Sequence, residues 1–360
     1  MSKLIKKCFF LVICGGLLAI QPLSVHADPL DPYIQGAKKE GSVNIGITLR
    51  AKINGKSSGD RYIAAFQKRY PFIKANFKRI GGARERERVI GEMVGGIYNY
   101  DVAPVTETGT AMLIDAKLPR IVEWEKLGVP KFLIHPANMG IALRTQIFGI
   151  AYNRDLVSDQ EAGAFTWETC ADPKWKAKAA MDDGPRHLIP LLMEESGWGR
   201  EKTLDFAKRW AANKPHIEHS RSTAAAKLMS GAYHIFCGAA RTQIMDLQVY
   251  SDAKSIGIVY PDPVPLSFGD IIYVPDKTPH PNGGILFAAW TATQEAQVLL
   301  DEVNFTGHPS FEGTQIGKSV QGKKVVSASW DTLIRSDDVL ADIIQAMGMP
   351  VVRSQTKKKK

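Results

Sequence analysis

Apolar and polar positions alternate along this chain in short, regular blocks. Residues 33–40 read as a helix that Gly41 stops, and VNIGIT at 43–48 reads as a strand. Tyr62, Phe66 and Tyr70 recur four apart in a helix over 60–69 that ends at Pro71. Ile73, Ala75 and Phe77 then alternate with Lys74, Asn76 and Lys78, the pattern of a strand with one wet face. A second helix over 84–95 shows Val89, Ile90, Met93 and Val94 on one side, and 101–105 reads as a third strand. This βαβαβ order predicts a mostly parallel sheet with helices on both faces. Ligands of such sheets sit beyond the carboxyl ends of the strands, here the loops 48–55 and 106–110. Further along, strands are predicted at 148–153, 177–181, 234–237, 256–260 and 270–274, and helices at 201–212, 222–229, 286–302 and 337–347. The length exceeds one comfortable core, so an α/β protein of two lobes is expected.

The first residues follow a different logic. Lys3, Lys6 and Lys7 precede an unbroken apolar run at 8–20, and Val25-His26-Ala27 places small residues at −3 and −1 before Asp28. That layout is a cleavable secretory signal over 1–27. The run is shorter than a membrane span, which needs about 20 apolar residues. Cys14 follows Ile13 rather than a small residue, so lipid attachment is not expected. The mature chain should be soluble and periplasmic.

Charge changes little in this picture. Of the net +9, Lys3, Lys6 and Lys7 belong to the signal and Lys357 to Lys360 to a basic tail, which leaves the body near +2. The tail, 351–360, reads as a solvated, disordered end, and no concentrated patch marks a nucleic-acid surface. Cys170 and Cys237 remain after signal removal; a disulfide or two buried thiols are equally open. RERER at 84–88 reads as a solvated helix face, and His216 and His219 as loop residues. HExxH, Walker A and dinucleotide glycine patterns are missing. An exported enzyme built from scattered Ser, His and Asp stays open, because such groups need only meet in space.

Seven blocks carry a family resemblance: YIQGAKKEGSVNIGI, FQKRYPFIKANF, YDVAPVTETG, FGIAYNRDLV, TWETCADPKWKAKAAMDD, GAYHIFCG and TPHPNGGILFAAW. In this order they resemble the type 2 periplasmic solute-binding proteins, the branch that includes ferric-iron-binding proteins. The resemblance implies a two-lobed Venus flytrap with a hinge of crossing strands. Lobe 1 would be 28–147 plus 274–350, and lobe 2 would be 148–273. It also implies a monomer that delivers a small-molecule ligand to the permease and ATPase subunits of an ABC importer, with no cofactor.

Iron-binding members hold the metal through a His after the first strand, a Glu after the third and two adjacent Tyr in the second lobe. In this chain Glu107 matches the Glu, Arg50 stands at the His position, and Arg241 and Thr242 stand near the Tyr pair. Arginine stays protonated and cannot ligate a metal. Its planar fork suits carboxylate, phosphate or phosphonate instead. The expected ligand is therefore a small anionic or zwitterionic solute, with ferric iron or an iron chelate as the alternative. Arg50 and Arg241 would clamp it from opposite lobes, with Arg221 as a competitor for the second place. Ser222 and Thr223 would offer a helix N-terminus. The turn with Asp183, Gly184, Arg186 and His187 would add donors, and Glu107 would receive a cationic group. Thr48, Thr106, Tyr152 and Asn153 would complete the lining.

Overall fold

A computed structural model of the protein describes residues 28–49, 52–53, 55–250 and 254–350. The expected signal, the basic tail and Arg50 lie outside the described residues. The chain opens with α1 (Asp31–Glu40), β1 (Ser42–Ile47), a small hairpin of β2 (Lys52–Ile53) and β3 (Lys56–Ser57), α2 (Ser58–Arg69), β4 (Lys74–Arg79), α3 (Ala83–Val94) and β5 (Ala103–Val105). Local chemistry sets these bounds. Gly41 takes the left-handed conformation that ends α1, and the Ser57 hydroxyl accepts the Asp60 N–H to start α2. β4 alternates as its sequence demands, with Lys74, Lys78 and Arg79 in solvent.

The chain continues through α4 (Thr110–Asp115), the long β6 (Ile141–Asn153), α5 (Asp159–Gly163), β7 (Ala179–Asp182), α6 (Gly199–Ala212), β8 (His216–Glu218), α7 (Arg221–Met229), β9 (Ile235–Ala240), α8 (Arg241–Tyr250), β10 (Ile256–Val259) and β11 (Val264–Tyr273). It ends with α9 (Pro281–Thr291), α10 (Gln294–Asn304), α11 (Gln315–Ser319), β12 (Val325–Ser327), α12 (Trp330–Ile334) and α13 (Ser336–Ala346). The single helix expected over 286–302 is thus two, because the Thr293 hydroxyl accepts the Ala296 N–H and caps a new start. His216 sits in β8 rather than in a loop.

The architecture has two lobes joined by crossing strands. β1 pairs with β4 in parallel, and Ile45 bridges Val102 in parallel just before β5. β5 runs antiparallel to β11, which runs antiparallel to the first half of β6. At Phe148, β6 changes partners and lies between β9 and β10 for its second half. Beyond β9 come β7 and then β8, both in parallel register. The expectation of mostly parallel sheets needs correction, because the eight-stranded sheet is mixed. The crossing strands are the cause: β6 is antiparallel to each of β9, β10 and β11.

Each lobe has its own aromatic anchor. In the first, α2 sets Tyr62 and Phe66 against Phe287 and Trp290 of α9, with Phe66 and Phe287 edge to face at 5.1 Å. Such a pair is worth about 0.5–1.5 kcal/mol beyond the area it buries. In the second, Trp167 and Trp210 enclose His187, and a disulfide joins Cys170 to Cys237 of β9. β9 passes His187 at Gly238, whose φ of 75° and lack of a side chain are both required. A Cβ there would lie 2.2 Å from the imidazole.

Candidate functional site

A cavity of about 430 Å³ lies between the lobes. From the first lobe come Thr48, Arg79 and Thr106 to Thr108, each just past or at the carboxyl end of β1, β4 or β5. From the second come Arg186 after β7, Arg221 after β8, and Thr242, Gln243 and Asp246 of α8 after β9. The site therefore occupies the crevice where parallel strands of both lobes end. Its floor is the crossing region. Arg144, Gln146 and Phe148 alternate along β6, so the period-2 geometry puts all three on the cavity side.

The lining is rich in guanidinium. Arg144 and Arg86 hold the fully buried Asp270 between them, Arg144 through Nε. Arg221 uses its Nε on Asp182 and lies over the Phe148 ring at 5.4 Å. Arg186 reaches Ser336 Oγ at 3.1 Å and Asp337 of α13. Arg79 makes no ion pair among the described residues, and Gln146 donates to the Thr242 hydroxyl. A guanidinium has five N–H donors, so these pairings leave donors for a guest. The Thr48 hydroxyl is buried without a partner among the described residues.

Glu107 opens a short turn after β5 and lines the same cavity. Removal from water pushes its carboxyl up to about 7; Asp270 adds to this, while its own backbone, Arg186 and Arg86 oppose it. Near neutral pH Glu107 is divided between a hydrogen-bond donor and an anion.

Of the residues singled out from sequence, the structure gathers Thr48, Thr106, Glu107, Arg186 and Thr242 around one cavity. Others go elsewhere. Arg241 is turned into the protein, where it pairs with Asp301 Oδ1 and donates to the Phe305 carbonyl, both at 2.7 Å. Tyr152 is buried and donates to Asp159, and Asn153 donates to the Leu228 carbonyl. Asp183 holds the exposed His219. Ser222 is exposed in the first turn of α7, whose cap is Ser220. His187 lies among aromatic rings, where burial lowers its pKa to about 3. Arg221, the competitor, takes the cleft position that Arg241 lacks. The RERER run is not wholly solvated either, since Arg86 reaches Asp270. Arg79, Arg144 and Gln146 were missed. Alternation along 144–148 was the available signal, and the sequence reading began that strand only at Phe148.

A Ser–His–Asp relay does form elsewhere. Ser42 Oγ lies 3.4 Å from His280 Nε2, and His280 Nδ1 lies 3.0 Å from Asp101 Oδ2. Asp101 also accepts from Thr278 and from the Asn44 N–H, and none of the three residues lines the cleft. The group ties the start of α9 to β1.

Solved structures share this fold. Apo FutA2 from Synechocystis PCC6803 superposes with a TM-score of 0.65 at 18% identity, over 86% of this chain and 99% of that one. Ferric iron-binding protein A from Mannheimia haemolytica, in an open conformation, gives 0.67 at 17%, over 86% and 98%. The Trichodesmium protein IdiA (FutA), in complex with iron and citrate, gives 0.64 at 19%, over 86% and 98%. No curated protein matches the chain in sequence. Residues 94–321, more than half of the chain, match the model of the bacterial extracellular solute-binding proteins. The chain belongs to the bacterial extracellular solute-binding protein family.

Proposed function

We propose that this protein captures a small anionic solute between lobes 28–147 plus 274–350 and 148–273, and presents it to an ABC permease and ATPase from the periplasm. The observation that carries this is the convergence of Arg79, Arg144, Arg186 and Arg221 on one cavity. Guanidinium forks bind carboxylate, phosphate and phosphonate with paired, directional hydrogen bonds. The 1–27 segment supplies the export route, and the exported protein is expected to begin at Asp28.

An iron chelate is the second reading. The Trichodesmium neighbour holds iron together with citrate, and a polycarboxylate would meet the same arginines. Bare ferric iron has less support. Among the described residues no group of three or more His, Cys, Asp or Glu could hold a metal ion. Calorimetric titration with citrate, 2-aminoethylphosphonate, inorganic phosphate and unchelated ferric iron separates the readings. At least one anion should bind, and Arg144→Ala or Arg221→Ala should weaken it by tenfold or more. Tight binding of unchelated iron that survives both substitutions would sink the anion reading.

A further inference from the structure

A second cavity of about 710 Å³ lies behind the crossing strands, and its chemistry differs from that of the cleft. Its walls are aromatic. Phe268 of β11 stacks on Trp330 at 5.0 Å with 17° between the planes, and Phe132 faces His308 at 4.5 Å. The charged groups that line it, Glu125 and Lys131, are both exposed. The volume suits a small organic molecule.

Two imidazoles line this space, His135 and His308, and burial lowers the pKa of both. His308 is 7% exposed, and its backbone N–H is held by Gln297. Its Nδ1 accepts the Ser310 N–H at 3.1 Å, which leaves the ring proton on Nε2. Burial lowers the imidazole pKa to about 4, so the ring is neutral. Nε2 has no partner among the described residues, and His308 lines the cavity. Unlike His135 Nε2, which is sealed in without a partner among the described residues, His308 Nε2 is open to an acceptor on a guest.

We propose that this cavity is a second ligand site, for a small neutral heteroaromatic molecule that stacks beside Trp330 and Phe132 and accepts a hydrogen bond from His308 Nε2. Aromatic walls favour a planar ring, and the lack of buried charge rejects the anions that the cleft favours. Phe268 lines both cavities, so a guest in one touches a residue of the other.

The test titrates the whole mature protein with nicotinamide and adenine, with cyclohexanecarboxamide as a non-aromatic control, and follows binding by calorimetry and proton NMR. At least one heteroaromatic should saturate the wild type, the control should bind at least tenfold more weakly, and intermolecular NOEs should reach Trp330 or Phe132. Trp330→Leu and His308→Leu should each weaken binding tenfold or more, while Arg221→Ala leaves it within twofold. Absence of saturable binding, NOEs confined to other aromatic residues, indifference to both cavity substitutions, or loss in Arg221→Ala would each overturn the proposal. The wild-type NOEs decide the matter if a substitution prevents folding.

Discussion

At the residue scale, Glu107 and Arg241 show how position decides the role of a charge. The Glu107 carboxyl sits near 7 when folded and near 4.5 when unfolded. Between those values the folded state binds more protons, so its contribution to stability is present below pH 4.5 and is lost as pH rises through 7. Glu107→Gln should remove this loss and gain about 1–2 kcal/mol over wild type at pH 8, once solvent screening is allowed for. Urea unfolding at pH 5 and pH 8 measures it. Ionised Glu107 also repels an anion, so affinity for the anionic solute should fall several-fold from pH 6 to pH 8 and flatten in Glu107→Gln. A rise instead would mark a zwitterion whose ammonium group meets the carboxylate. Arg241→Ala strands the buried Asp301 and should cost about 3–5 kcal/mol in denaturant unfolding. Arg79→Ala should change stability by no more than about 0.5 kcal/mol yet weaken ligand binding measurably by calorimetry. Sequence placed Glu107 in its loop because the strand before it was legible. It could not tell Arg221 from Arg241, since each is the first residue of a helix, α7 or α8.

At the element scale, the alternating helices and strands were readable where one face is wet, as in β4. They were less so where burial is complete. Ile141–Asn153 is almost wholly buried, and only Arg144 and Gln146 alternate with buried neighbours, too short a stretch to announce the whole strand. The break at Thr293 was hidden for a similar reason, because α9 is buried on all sides and lacks a polar stripe. β6 crosses from one lobe to the other, and Gly149 sits where its ladder to β9 shifts register. A Cβ at Gly149 would lie 2.2 Å from the Val259 carbonyl oxygen. Gly149→Ala should therefore cost about 1–3 kcal/mol through backbone displacement, as thermal or urea unfolding would show.

At the scale of the whole molecule, ligand capture by two lobes implies closure. Small-angle scattering should report a smaller radius of gyration when the anionic solute is added, and no change for Arg144→Ala at the same concentration. The carboxyl-terminal helices complicate a simple two-body hinge. α12 packs against the turn that carries Glu107, in the first lobe, while α13 packs on α6 of the second. Arg186 pairs with Asp337, and Arg200 with Asp342 at 2.9 Å. The last helices among the described residues thus straddle the gap between the lobes. A dye on the solvent side of α13, paired with one on α3, would turn capture into an optical signal, and the fold already supplies the lever that a biosensor otherwise needs to have built.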